Sequence, residues 1–357
     1  MKMKRFTLLA LLMAGMFAFV SCEKDEDTKD LSKDESEQQI TIAEQDLETK
    51  STEIVATDGY KIQAYYGQMP SPFWYKTLTA KSEKPSVAQK MLDVVRSNSL
   101  LQNEIEFYFY DFIIYNFNDV IGTWTWNPGT QSYDYTNTPT DKVVVKVPYP
   151  ATSTTNNVTV TYYDFTTTPI DGETVPTGLK VKIEYNGNQV FTLAYTGSYI
   201  DWYKYSYKID VAFGQFTISE EESYDESDTD FGYVGNFIFK KDGKTFYSEN
   251  LNYTATLLTN QSVDFLVTGT QVIGNLEFRM RLEGNSADLE TGDPNDFLSL
   301  SLYTTGGDKV GDFIFKQENL EWVIYFKFNT GEEVLAETLM PEISELLSDF
   351  ITNMFYY

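Results

Sequence analysis

The chain has 357 residues, no histidine, one cysteine and a formal net charge of −26, and aromatic residues make up 16% of it. Without histidine, Ser-His-Asp triads, His-ligated zinc or haem and imidazole proton shuttles are excluded. A single cysteine excludes an internal disulfide, and the acidic balance excludes nucleic acid and anionic membrane surfaces, which would repel it.

Residues 1–21 read as a signal peptide. Lys2, Lys4 and Arg5 give a positive start, and an uncharged, mostly apolar run from Phe6 to Val20 follows. That run is too short to span a bilayer comfortably. Phe19-Val20-Ser21-Cys22 closes the segment. This junction resembles the lipobox of bacterial lipoproteins, with Phe19 where a Leu is usual. The resemblance implies cleavage before Cys22 and lipid on Cys22, several acyl chains making a stable membrane anchor. Glu23, Lys24, Asp25, Glu26 and Asp27 come next. They resemble the export signal of Bacteroidota lipoproteins that reach the outer leaflet of the outer membrane, which implies display at the cell surface.

Residues 22–50 are expected to be the lipidated cysteine and an acidic tether. Eleven Asp/Glu face four Lys between residues 23 and 50, too few apolar groups to offset ordering entropy. From about Asp34, Ile40, Ile42 and Leu47 are spaced to support a helix with an exposed acidic face. Residues 51–103 are expected to be a helical segment. Ser86 and Gln89 form a capping-box pattern there, and Val87, Met91, Val94 and Val95 an apolar stripe.

Residues 104–332 read as a β body. Lys142–Val147, Lys180–Tyr185, Leu276–Glu283 and Leu298–Leu302 alternate apolar and polar residues, which gives one packed and one wet face. Asn186-Gly187 and Asp242-Gly243 are hairpin signals, with weaker ones at Gly306-Gly307 and Thr330-Gly331. Val234–Lys240 is echoed by Val310–Lys316, and more loosely by Ile273–Arg279. This is either an internal repeat or a coincidence among similar strands. Residues 333–357 are expected to form a C-terminal helix starting at Pro341. The expected fold is α+β, mostly β: a large antiparallel meander, sandwich or barrel-like sheet with N-terminal helices and one C-terminal covering helix.

Ile121–Asn127, Lys142–Pro148 and Thr154–Val160 resemble, across residues 118–250, uncharacterised Bacteroidota surface lipoproteins. That likeness brings no activity or site residue with it.

Two acidic clusters are dense enough to weigh as calcium sites, calcium being the one cofactor considered. Glu220–Glu222 with Asp225, Asp228 and Asp230 form the first, and Asp288, Glu290, Asp293, Asn295 and Asp296 the second. Both also read as solvated loops. Trp124, Trp126, Trp202, Tyr203, Tyr205 and Tyr207 are candidates for a ligand platform or, alternatively, for packing. No residue stands out as catalytic. The expectation is a non-enzymatic surface protein that is membrane-bound through Cys22 and binds a glycan, a protein or another surface component. The alternatives are a structural subunit of an envelope complex and a hydrolase using carboxylates alone.

Overall fold

The computed structural model describes residues 29–70, 117–259, 262–289, 292–318 and 321–341. The fold is α+β and mostly β: one open, mixed sheet of sixteen strands with few helices. The strands are β1 (Gly122–Asn127), β2 (Ser132–Thr136), β3 (Val143–Val147), β4 (Val158–Ile170), β5 (Glu173–Tyr185), β6 (Asn188–Tyr199), β7 (Lys204–Phe213) and β8 (Phe216–Glu226). They continue as β9 (Asp230–Lys241), β10 (Lys244–Leu257), β11 (Val263–Ile273), β12 (Leu276–Asn285), β13 (Leu298–Thr304), β14 (Lys309–Glu318), β15 (Glu321–Phe328) and β16 (Glu333–Leu335). From β3 to β16 each strand pairs antiparallel with the next, while β1 runs parallel to β3 and carries β2 at the edge.

Local chemistry dictates the meander. Asp171-Gly172, Asn186-Gly187 and Asp242-Gly243 form two-residue turns with both residues at positive φ. The twist of such turns matches the right-handed twist of the strands they join, and Gly meets no steric cost at positive φ. Along the strands the alternating residues bury one face: Val263, Phe265, Val267 and Ile273 of β11 are sealed, and so are Leu276, Phe278, Met280 and Leu282 of β12. A one-residue slip would turn these side chains to solvent, so the register is fixed.

Two N-terminal helices cross this face. α1 (Lys33–Ala56) opens with a capping box in which Ser32 accepts from the Glu35 backbone N–H and the Glu35 carboxylate accepts from the Ser32 N–H. α2 (Asp58–Gln68) begins at Thr57, whose hydroxyl oxygen accepts from the Tyr60 N–H. Contacts step across the sheet in order. Ser36 donates to the Val310 carbonyl on β14, and Asn275 bonds Gln39. Lys241 pairs with Glu53, Gly59 lies on Val190 and Phe213, and the hydroxyls of Tyr66 and Tyr162 on β4 meet at 2.9 Å. Ser36 to Tyr66 is about 45 Å of helix. Ten strand steps from β14 to β4 are about 48 Å. The helices therefore run nearly perpendicular to the strands, and the sheet is open across that width.

The structure corrects several expectations. The acidic tether does not extend to residue 50: Asp30 bridges Lys309, and α1 buries Ile40, Ala43 and Ile54 against the sheet. Together with Ser36, Leu47 and Ser51 those residues recur every three to four positions, and an acidic outer face does not prevent an apolar inner one from packing. Among the described residues the strands run from Gly122 to Leu335. Of the expected meander, sandwich or barrel, the described residues form the meander, as one open sheet. The echo is not a repeated unit, because Val234–Lys240 lies on β9 and Val310–Lys316 on the oppositely directed β14, while Ile273–Arg279 turns a corner at Gly274. The capping-box pattern at Ser86, the start of the β body at residue 104 and the C-terminal helix beyond Pro341 lie outside the described residues.

Candidate functional site

The inner face is apolar except for two rows in its middle. The row nearest the helices is Leu193, Val211, Ile218, Phe239, Tyr247 and Ile273, each facing the next across adjacent strands. One step further along, the register aligns Ile209, Glu220, Phe237, Glu249 and Gln271. A second step aligns Gly197, Tyr207, Glu222, Gly235, Leu251 and Gly269. Three carboxyl groups thus lie together on β8 and β10, with only β9 between them.

Glu220 and Glu222 are buried, and Glu249 is half-buried. Burying an unpaired carboxylate is costly, and no Lys or Arg occurs in these two rows. The carboxyls are met by neutral partners. Tyr207 donates to Glu220 at 3.0 Å, and Tyr247 donates to Glu249. Gln271 Nε2 donates to the Tyr247 hydroxyl at 3.1 Å and to Glu249 Oε1 at 3.2 Å. Burial pushes the Glu249 carboxyl up to about 8, against the pull of its Tyr247 and Gln271 hydrogen bonds. Burial, reinforced by the Glu220 charge, also pushes Glu222 upward. Both hold a proton at neutral pH, so each acid offers a donor as well as an acceptor.

Glycine makes room for tyrosine rings on this stretch of the face. A Cβ at Gly235 would lie 2.6 Å from the Tyr233 hydroxyl, and one at Gly197 would lie 2.7 Å from that of Tyr195. Without those methyls the phenols lean over the strands. Gly197, Gly235, Phe237 and Glu249 all keep some exposure, so the polar rows form the floor of a shallow trough. Its distal wall is a run of tyrosines, Tyr199, Tyr205, Tyr224, Tyr233 and Tyr253, on five successive strands. Tyr199 stacks on Tyr205 at 5.8 Å and Tyr205 on Tyr224 at 5.1 Å. Ring faces are consumed by ring faces, the Tyr199 and Tyr224 hydroxyls bond Tyr195 and Glu226, and Tyr233 and Tyr253 are buried.

Comparison with family models, curated proteins and solved structures gave no match. The chemistry of the site rests on its own residues.

The six aromatic candidates do not form one platform. Trp124 is buried, its indole N–H donating to the Val120 carbonyl at 2.9 Å. Trp126 is half-buried against Tyr133. Tyr207 is buried in the carboxyl row, and Tyr205 is held between its stacked neighbours. Trp202 and Tyr203 lie at the β6–β7 turn, Tyr203 exposed. Close to five strand spacings, about 24 Å, separate β1 from β7.

The acidic clusters also resolve into separate roles. Glu220–Glu222 is strand, not loop, with Glu221 outward and its neighbours inward. Asp225 pairs with Lys204, Asp230 accepts from Thr229 and Thr256, and Asp228 is exposed. Asp293 caps the short helix Pro294–Phe297, and Asn295 bonds the Phe315 backbone in both directions. Among the described residues, no group of three acidic side chains is arranged to hold a metal ion. Glu290, Cys22 and Glu23–Asp27 lie outside the described residues. No helix among those described is long and apolar enough to cross a membrane.

The trough was legible in part. On β8 the inward positions read Phe216, Ile218, Glu220, Glu222, and on β10 Tyr247, Glu249, Leu251, Tyr253. Glutamates in phase with an apolar stripe are the signal that sequence reasoning passed over.

Proposed function

We propose that this chain is a lipid-anchored protein of the outer membrane surface whose sheet binds a neutral, hydroxyl-rich ligand, a glycan, without transforming it. One observation carries the reading: two polar, cation-free rows interrupt an otherwise apolar face where that face is partly open. Protonated carboxyls, phenols and an amide supply donors and acceptors side by side, which suits sugar hydroxyls. The lack of Lys and Arg disfavours anions, and the protons on Glu222 and Glu249 disfavour cations. The leader and the Cys22 junction support placement on a membrane.

Full-length protein in detergent, applied to a glycan array, is expected to bind a restricted set of neutral glycans. Glu249→Leu should weaken that binding about tenfold, the loss of roughly 1.4 kcal/mol expected for one good hydrogen-bonding group. An array that stays blank with natively folded protein would reject the reading. The adjacent Glu220 and Glu222, one of them held protonated, favour a second reading as a carboxylate hydrolase. Shortened glycans after incubation, abolished by Glu222→Gln, would establish it.

A further inference from the structure

We propose that the β6–β7 hairpin tip, together with the β8–β9 turn, docks a cationic polypeptide segment bearing apolar side chains. Ile200 is 71% exposed and Tyr203 56%, more than any other large apolar side chain among the described residues. Both sit in one turn, and that turn is held rigidly. The Ile200 N–H donates to the Lys204 carbonyl at 2.9 Å, and the Tyr203 N–H to Asp201 Oδ1 at 2.8 Å. The Glu226 N–H donates to the Tyr203 carbonyl at 2.8 Å, joining the two turns into one surface. An apolar tip preorganised in this way loses little conformational freedom on binding.

Charge selects the partner. Asp201, Asp225, Glu226, Asp228 and Asp230 surround the tip, and Lys204, already paired with Asp225, is the one basic residue of the two turns. A second copy would bring acid against acid, and an anionic bilayer would be repelled. A Lys- or Arg-bearing segment meets opposite charge around an apolar centre, the arrangement in which charges steer and apolar groups hold. The tip adjoins the tyrosine wall at Tyr199 and Tyr205, but it uses other residues than the carboxyl rows, so neither proposal depends on the other.

The test is fluorescence anisotropy of the full-length protein with three labelled peptides of equal length, alternating Lys-Leu, Lys-Ser and Glu-Leu. The Lys-Leu peptide is expected to bind, more weakly as salt rises, and the other two at least tenfold less tightly. Ile200→Ser with Tyr203→Ser should cost about tenfold, and Asp228→Lys, on an exposed side chain, should weaken binding and flatten the salt dependence. Both variants should keep the melting temperature of the parent protein, which reports that they are folded. Equal binding of Lys-Leu and Lys-Ser, or unaltered affinity in both variants, would overturn the proposal.

Discussion

Gln63 shows how a single side chain can work against the fold that holds it. It is sealed from solvent on the buried stripe of α2, and both its amide nitrogen and its amide oxygen lack a partner. An unsatisfied buried polar group costs about 1–3 kcal/mol. Gln63→Leu should therefore raise stability by about 1–3 kcal/mol in guanidinium unfolding. A loss instead would show that water serves the amide. Glu249 acts in the opposite sense with pH. Its folded-state pKa of about 8 lies above the ordinary carboxylate value. The folded protein therefore binds the extra proton, and that stability is complete at acid pH and drains away as pH rises through 8. Melting temperature should fall between pH 5 and pH 8.5, and Glu249→Gln should flatten the fall. A slope unchanged in the variant would assign the titration elsewhere. None of this was visible as a residue property. Only the phase of Glu249 within its strand marks it, and nothing in the local sequence of Gln63 shows what lies above it.

At the scale of elements, what is local was readable and what is long-range was not. Asn186-Gly187 and Asp242-Gly243 specify their turns by backbone preference alone, and Leu276–Glu283 specifies its strand by alternation. The Ser32–Glu35 capping box was equally readable, but the density of acid around it suggested a tether. The packing of α2 depends on Gly59, where an added Cβ would lie 2.4 Å from the Val190 carbonyl oxygen and 2.6 Å from Phe213 Cβ. Alanine within a helix normally gains about 1 kcal/mol over glycine. Here Gly59→Ala should instead cost about 2–3 kcal/mol, since the helix must lift from the sheet. Chemical denaturation decides the sign, and a stabilised variant would refute the close approach.

For the whole molecule, an antiparallel sheet was legible from alternation and turn spacing, whereas its openness was not. Closure depends on summed twist and on what covers the face, and neither resides in any one segment. The helices crossing from β14 to β4 make the difference. In a pure meander each strand touches only its neighbours, so disorder can spread inward from either edge, as in a linear array. A crossing rod links distant strands directly. Native-state hydrogen exchange should show β5 to β13 opening as one unit, with the outer strands β2 and β16 exchanging sooner. Exchange graded evenly from strand to strand would deny the helices that role.

The bridge between Asp30 and Lys309 joins residues 279 positions apart. A chain made N-terminus first exposes α1 long before its partner strand exists. The greasy side of that helix must wait until nearly the whole polypeptide has been made. Final assembly is thereby tied to completed synthesis, and a product cut short before β14 would leave the first turns of its leading helix without the strand they dock on.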